Sequence, residues 1–421
     1  MESILHIIKK IIPRNIFYAL QPAYHYFLAF LAALVYHFPS RKIKVIAITG
    51  TKGKTSTTEI VNAILEEAGY RTALAGTLRF KIDDKEERNL YKMTIPGRFF
   101  VQRFLSSAVR TKCDWVIIEM TSEGARQFRH KFIDFDALIF TNLSPEHIES
   151  HGSFENYKDA KLSIAHALAS SKKRPRIIVA NADNQYANEF LSVDADTKTT
   201  YSLKDAEPYT LEKDSTTFTF MGSPLHAYLS GSFNLSNMLA GISFARMIGI
   251  TPEVIRRALE KFHGIRGRVE RVNAGQDFDV IIDYAHTTDS LEKVYGVFQD
   301  SRKICVLGGT GGGRDSWKRP AMGGIACAHC DEIILTNEDP YDEDPQKIVS
   351  EIMGGIEAGR AEIIMDRREA IAHALSLAKT GDAVIITGKG TDPYIMGPNG
   401  TKTEWDDAAI AREELTKLGF K

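Results

Sequence analysis

The stretch Lys44-Val45-Ile46-Ala47-Ile48-Thr49-Gly50-Thr51-Lys52-Gly53-Lys54-Thr55 decides the fold of this chain. Its first half is a β-branched run of the kind that forms a buried parallel strand. It breaks at Gly50, and from Thr57 to Ala68 apolar residues recur at helical spacing until Gly69. A strand, a glycine-rich turn and a helix start are what phosphate binding needs. Glycines let backbone N–H groups close around the phosphates, and the helix N-terminus adds positive potential. Gly50, Thr51, Lys52 and Gly53 would form the cradle. Lys54 would bring a point charge to the β/γ-phosphates, and the Thr55 or Ser56 hydroxyl could ligate Mg²⁺. The general nucleotide-loop spacing asks for another glycine at position 48, where this chain has Ile48.

Outward from this loop, strands and helices alternate. Trp115–Glu119, Ala137–Thr141 and Ile177–Ala180 read as buried parallel strands. Thr216–Leu229 reads as an antiparallel hairpin turning at Gly222-Ser223-Pro224, and Ser236–Ile248 as a helix. A second series follows, with Val280–Asp283, Lys303–Leu307, Glu332–Thr336, Glu362–Met365 and Ala383–Thr387 as strands. Such alternation predicts α/β architecture with parallel sheets covered on both faces. We expect a P-loop-type parallel-sheet ATPase domain over 43–268 and a Rossmann-like domain over 269–421, hinged at His263–Arg271. A short apolar helical extension, residues 1–42, precedes them. The 421 residues suit two domains, and hydrophobic (43%) and charged (25%) contents are those of a folding chain. A net charge of −1 gives no reason to expect a nucleic-acid partner.

From Asn15 to Ser40 there is no Lys, Arg, Asp or Glu, while Lys9, Lys10 and Arg14 precede the stretch and Arg41, Lys42 and Lys44 follow it. It lacks the small-residue cleavage site of a signal peptide. Pro22, His25 and His37 interrupt it, which argues against a full membrane span. Besides such a span, two readings stand ahead of it: a helical hairpin packed on the protein, or an interfacial anchor, basic at both ends and rich in tyrosine. The latter would put the chain in the cytoplasm, at the inner face of the membrane.

The loop resembles the phosphate loop of the Mur ligases, which join amino acids to the peptide stem of the cell-wall precursor; the folylpolyglutamate synthetases share their fold. The resemblance extends from about residue 43 to about 415 through separate motifs in the same order. It implies an ATP- and Mg²⁺-dependent amide ligase working through an acyl-phosphate. Glu119, at a strand end, matches the family's Mg²⁺ ligand. Thr141-Asn142-Leu143-Ser144-Pro145-Glu146-His147 is similar to the segment that carries its metal-binding histidine, which implies His147. Tyr157-Lys158-Asp159-Ala160-Lys161 matches the segment whose last lysine is carbamylated, which implies Lys161 as a second metal ligand. Lys54, Lys161, His147 and Glu119 are thus the candidate catalytic set, and Thr55, Glu119, His147 and Lys161 the candidate metal set. Gly231-Ser232-Phe233-Asn234-Leu235-Ser236-Asn237 resembles the segment whose asparagines lie near adenine, although Asn234 or Asn237 could instead cap the following helix. Arg268 would reach the nucleotide phosphates and Asp283 the ribose, with His286 in the same Asp-Tyr-Ala-His motif. Because these last residues fall in the second domain, closure of the domains is expected for catalysis.

Several motifs are similar to those of the branch that adds the third residue of the stem: Thr94-Ile95-Pro96, Thr121 to Arg129, and Gly308 to Met322, which contains Arg314. They imply that Thr94, Ser122, Gln127 and Arg129 hold a muramyl-L-Ala-D-Glu-type acceptor. Three departures matter. The branch's uridine-diphosphate-binding N-terminal domain has no counterpart before the loop, so the acceptor would be held without that domain, supplied with help from a partner, or carried on a lipid. The diaminopimelate-selecting Asp-Asn-Pro-Arg is replaced by Glu338-Asp339-Pro340-Tyr341. Losing the arginine removes a charge-assisted hydrogen bond of roughly 1.5–3 kcal/mol. The acids Glu338, Asp339, Asp342, Glu343 and Asp344 would instead favour an amine terminus, so L-lysine is the expected amino acid; the alternative is a solvated acidic loop. Finally, Gly388-Lys389-Gly390-Thr391-Asp392 replaces Gly-Lys-Gly-His-Glu, with Asp392 keeping the carboxylate.

Four cysteines in 421 residues argue against a disulfide framework and for a reducing compartment, and Cys327 and Cys330 read as thiols of a helical core. Competing readings are a two-domain ligase of a folate or γ-glutamyl polymer, and a non-catalytic partner. Neither explains the Gln-x-Arg and Arg-Asp-x-x-Lys-Arg-Pro motifs together with Lys54, Glu119, His147 and Lys161.

Overall fold

The computed structural model describes residues 14–146, 148–313 and 316–420, with side chains from residue 20 onward. Its first sheet has eight strands: β1 (Lys44–Thr49), β2 (Thr72–Ala75), β3 (Arg79–Ile82), β4 (Lys85–Arg88), β5 (Trp115–Met120), β6 (Ala137–Phe140), β7 (Ile177–Asn181) and β8 (Thr197–Tyr201). They lie in the order β4-β3-β2-β5-β1-β6-β7-β8. All neighbours are parallel except β2–β3 and β3–β4. The uninterrupted apolar runs arise because this sheet is covered on both faces: all of β1 beyond Lys44 is buried. On one face lies the core that includes Val45, Ala47, Val116, Ile118 and Leu138. On the other, Phe244 from helix Ser232–Met247 meets Trp115 edge to face at 5.6 Å.

A hairpin sheet follows: β9 (Tyr209–Leu211), β10 (Thr216–Phe220) and β11 (Ser223–Ala227). The turn falls at Met221-Gly222, earlier than expected. Ser223 and Pro224 belong to β11, where Pro224 faces Thr219 on an edge strand, a place a residue without an N–H can occupy. The third sheet consists of β12 (Glu270–Arg271), β13 (Asp279–Ile282), β14 (Lys303–Leu307), β15 (Glu332–Leu335), β16 (Ala361–Ile363) and β17 (Ala383–Ile386). Its order is β12-β13-β17-β14-β15-β16, parallel apart from β12, with a separate core on each face. A small ribbon, β18 (Tyr394–Met396) and β19 (Lys402–Glu404), completes the strands. The described chain is thus α/β, as the alternation requires. Contacts divide it into two compact units. One comprises the chain up to Glu146, Ser153–Lys204 and Ser236–Ala258; the other comprises His147–Gly152, Asp205–Leu235 and Leu259–Lys421.

Two expectations are corrected. The apolar N-terminal segment is not a helical hairpin: Arg14–Val35 is one helix that carries Pro22 within it, followed by a 3₁₀ turn at Pro39–Lys42. Among the described residues no helix is long and apolar enough to cross a membrane. Cys330 is not a free thiol. It ends helix Arg319–His329 beside β14 and is disulfide-bonded to Cys305. Cys113 and Cys327 are free.

Candidate active site

Parallel pairing assembles the first half of the site. Ile48 pairs with Glu119 and Thr49 with both Met120 and Phe140, so Glu119 and the segment from Thr141 onward emerge beside the turn that begins at Gly50. The turn is stitched to that segment. Thr51 N–H donates to Asn142 O (2.8 Å), Lys52 N–H to Asn142 Oδ1 (2.8 Å), and Thr141 Oγ1 to Lys52 O (2.7 Å). Lys52 Nζ pairs with the buried Glu146 at 2.8 Å. Gly53 has φ +79°, and a Cβ there would stand 2.2 Å from Asn237 Oδ1, so a side chain is excluded twice over.

Helix Lys54–Glu67 starts three residues earlier than periodicity suggests, because Lys54, Thr55 and Ser56 are its polar first turn. Lys54 Nζ folds back on Gly50 O and Thr51 O, both at 3.0 Å. Thr55 Oγ1 donates to Glu119 Oε1 (3.1 Å), and Thr77 N–H donates to Glu119 Oε2 (2.9 Å). Lys161, on helix Phe154–Ala169, is 1% exposed and donates to Gly50 O at 2.6 Å. Burial, helped by the Lys54 charge, pushes its pKa well below the ordinary lysine range. A hydroxyl and a buried carboxylate side by side are hard oxygen donors, and Mg²⁺ is commonly held by one or two such groups plus phosphate oxygens and water. Thr55 and Glu119 fit that ion. Among the described residues no three His, Cys, Asp or Glu side chains could hold a metal by themselves. His147 and Arg314 lie outside the described residues.

The residues expected to hold the acceptor form a neighbouring group. Thr94 Oγ1 is 2.9 Å from Thr77 Oγ1, which links it to the residue bonded to Glu119. Ser122 opens a short helix, Ser122–Arg126, capped by Thr121. Arg129 is buried; it donates to Ile95 O and, at 2.7 Å, to Gln127 Oε1. Thr77 and Arg98 belong to this group and escaped sequence reading. Thr77 acts through its backbone N–H, which leaves no mark in sequence. Arg98 sits just past Thr94-Ile95-Pro96, where its charge was the available signal.

Asn234 and Asn237 do not cap the helix that follows them, since that helix already begins at Ser232. Asn237 Oδ1 accepts from Thr57 Oγ1 (3.4 Å), and Asn234 Nδ2 donates to Ser230 O (2.9 Å). In the second unit both Asp283 oxygens accept backbone N–H groups, from Val269 (2.7 Å) and Ala285 (2.6 Å). Arg268 lies over the Tyr284 ring at 4.6 Å and donates to Gly267 O. His286 Nδ1 lies 2.7 Å from Tyr284 O.

The acidic segment differs from expectation. Asp339 accepts from Lys389 Nζ and Met396 N–H, each at 2.8 Å. Asp342 accepts from Asn399 N–H, Glu343 pairs with the buried Arg319, and Asp344 caps helix Pro345–Met353. Each of those four carboxylates already has a partner within the fold. Glu338 is the exception. Oε1 accepts from Thr310 Oγ1 (2.8 Å), while Oε2 is buried with no partner, and burial raises its pKa. It faces Gly388 (φ +103°), where a Cβ would lie 2.1 Å from Oε2. Tyr341 is held in a left-handed backbone conformation (φ +53°) with its N–H on Met396 O. Asp392 stands 3.5 Å from Lys389 Nζ.

The description Mur ligase middle domain matches residues 48–245, and Mur ligase, glutamate ligase domain matches 267–390. A UDP-N-acetylmuramoyl-L-alanyl-D-glutamate–2,6-diaminopimelate ligase of Syntrophomonas wolfei subsp. wolfei is 38% identical over 403 residues, covering 92% of this chain and 81% of the relative. The chain belongs to the Mur ligase family. Like the other Mur ligases, it is an ATP-dependent, ADP-forming amide ligase of the family that uses Mg²⁺. A UDP-N-acetylmuramyl-tripeptide synthetase of a Roseiflexus species is 36% identical over 421 residues, covering 93% and 82% of the two chains. A solved UDP-N-acetylmuramoyl-L-alanyl-D-glutamate–2,6-diaminopimelate ligase superposes with TM-score 0.62 at 28% identity, covering 90% of this chain and 79% of that one. A folylpolyglutamate synthase of Mycobacterium tuberculosis reaches TM-score 0.68 at 17% identity over 93% and 94%, a likeness of fold alone.

Proposed function

We propose that this Mur ligase adds a diamino acid, with L-lysine favoured, to the D-Glu carboxylate of a muramyl-L-Ala-D-Glu-type cell-wall precursor. The observation that carries the chemistry is the convergence on one loop of Lys54, Lys161 and the Thr55–Glu119 pair. The acceptor carboxylate has to attack the γ-phosphate, breaking its bond to ADP and forming the acyl-phosphate, while both reactants are anionic. Lys54 and the backbone N–H groups of the turn hold the phosphates, and bound Mg²⁺ would offset charge on the attacking and leaving oxygens. Thr55 and Glu119 would hold that ion. The amine of the incoming amino acid then attacks the acyl-phosphate carbonyl, forming the amide and releasing phosphate.

Lys161 is proposed to act as a carbamate. An amine reacts with CO₂ only when neutral: its lone pair attacks the carbon, a proton leaves, and an anion replaces a cation. Burial favours the neutral amine. ¹³C-bicarbonate labelling should give a carbamate carbon signal in the wild type and none in Lys161→Ala; a wild type without the signal rejects the carbamate.

The amino-acid preference rests on Tyr341 standing where the resembled branch has arginine, and on the buried Glu338 Oε2, which has no partner. Phosphate release measured with ATP, the D-Glu acceptor and a panel of amino acids tests it. Lysine should exceed diaminopimelate, and activity with diaminopimelate alone would sink the lysine assignment.

A second reading concerns residues 20–35. Leu20 and Phe27 are 56% and 59% exposed, and Tyr24, Tyr26, Phe30, Leu34 and Val35 are exposed beside them with no charged residue between. Such a face on a helix that does not span suits an interfacial membrane contact. Co-sedimentation with anionic vesicles should drop for Phe27→Glu, and equal recovery of both proteins in the supernatant refutes it.

A further inference from the structure

Helix Arg98–Arg110 starts at Gly97 without a side-chain cap. Its first residue, Arg98, donates Nε–H to Gln127 O at 2.8 Å. Arg129 donates to the side-chain oxygen of the same residue at 2.7 Å. Gln127 is therefore held between two guanidinium groups. Each has a buried nitrogen with no acceptor: Nη2 of Arg98 and Nε of Arg129. A third group joins them from helix Arg14–Val35, where His25 Nδ1 is likewise buried and unpartnered. The three are close enough to bear on one another. Burial and Arg129 bring the Arg98 pKa down to about 10, and burial with Arg98 and Arg129 brings His25 to about 4. The acid that acts on both Arg129 and His25, Glu123, accepts from Gln127 Nε2 at 2.8 Å and lies 3.8 Å from Arg126.

Like charges placed together with unsatisfied donors are costly, and a fold retains them where an anion comes to use them. Backbone geometry supports this. Phe128 and Phe132 hold positive φ (57° and 61°), rare for bulky residues, in the loop around Arg129. The helix that carries His25 clamps this loop through Tyr26 on Phe128 and Phe132, and Phe30 on Phe132. The cluster also has a position relative to the reaction. Arg129 bonds Ile95 O, next to Thr94, whose hydroxyl contacts Thr77; Thr77 N–H bonds Glu119. An acceptor whose reacting carboxylate lies by Glu119 and Thr55 would set a second carboxylate toward the arginines.

We propose that Arg98, helped by His25, completes with Arg129 a two-guanidinium clamp for the non-reacting carboxylate of the acceptor's terminal residue. Resemblance already implies Arg129; Arg98 and His25 are the new members. The free donors, Nη2 of Arg98 and Nε of Arg129, are charge-assisted and suit a carboxylate, which only accepts, and not a carboxamide, which brings donors of its own. The enzyme therefore selects a free carboxylate at that position, an inference that rests on the ligase reading above.

The test uses the full chain with ATP, Mg²⁺ and amino acid, and two nucleotide-linked acceptors ending in D-Glu and in D-isoglutamine. Both keep the reacting carboxylate, so only the second group differs. We expect the wild type to favour D-Glu by tenfold or more in kcat/KM. Arg98→Ala should erase most of that ratio, mainly through KM for the D-Glu acceptor, with KM for ATP unchanged. His25→Ala should reduce it a few-fold. Arg98→Lys keeps charge and bulk but lacks the fork, and should fall between; it stands in for Arg98→Ala if that variant does not fold. Equal losses for both acceptors would make Arg98 a brace for Gln127 and overturn the clamp, as would a wild type indifferent to the two. No turnover with either acceptor, supplied nucleotide-linked or lipid-linked, would instead overturn the muramyl-peptide acceptor proposed above.

Discussion

The phosphate loop and the loop Gly388–Asp392 each enclose a lysine that water hardly reaches, Lys161 at 1% exposure and Lys389 at 0%. Their surroundings differ. Lys389 is held by Asp339 at 2.8 Å and by Tyr394 O at 2.6 Å. Lys161 has a backbone carbonyl, Gly50 O, and lies close enough to Lys54 to be destabilised by it. Among the described residues no carboxylate is paired with it. A buried ammonium beside a carboxylate is a fold element, whereas one beside another cation has to lose its charge or reverse it. His130 adds a third case in the first unit: it is fully buried and both ring nitrogens lack partners.

These differences can be broken apart by measurement. The largest effect expected is the acid sensitivity due to His130. Burial lowers its pKa from 6.5 to about 3. Below pH 6.5 the unfolded chain takes up a proton that the folded chain refuses, so stability falls as pH drops from 6.5 toward 3. The contribution is on the order of 4–5 kcal/mol over that window. Denaturant midpoints against pH should flatten in His130→Phe; an unchanged slope removes His130 from the account. Next, Lys389→Met leaves the buried Asp339 carboxylate without its lysine, and should cost about 3–5 kcal/mol in unfolding free energy. A loss below 1 kcal/mol would show that the pair is not the brace described. Lys161→Met should do the reverse. Its stability should hold or rise, because no ion pair is broken, while turnover falls by roughly 10²–10³-fold. Comparable stability losses at both lysines would erase the contrast. Smallest is Glu338→Gln, expected to reduce the preference for lysine over diaminopimelate by about tenfold, the worth of one charge-assisted hydrogen bond. An unchanged ratio makes Glu338 a core residue.

Some of this was legible in the residues. Strands such as Lys44–Thr49 and Lys303–Leu307 are readable because a strand buried on both faces must be apolar throughout. The turn Gly50–Gly53 with Lys54 and Thr55 stands out because phosphate binding admits few residue types, whereas Lys161 was marked by the family resemblance; the structure brings Glu119 and Lys161 beside that turn. The acidic run Glu338–Asp344 was less legible. Composition says that negative charge is present; it does not say that Lys389, Arg319 and two backbone N–H groups already claim four of the five carboxylates. The Cys305–Cys330 bond, 25 residues apart in sequence, was equally hidden, because it depends on where a helix ends beside a strand.

The sequence by itself thus determined the alternation of elements, the phosphate loop and the family, all of which rest on local pattern. Only the tertiary structure decided which buried charges have partners. Partnership depends on groups far apart in the chain meeting in a medium where an unmatched charge is costly, as Lys161 meets Gly50 across 111 positions.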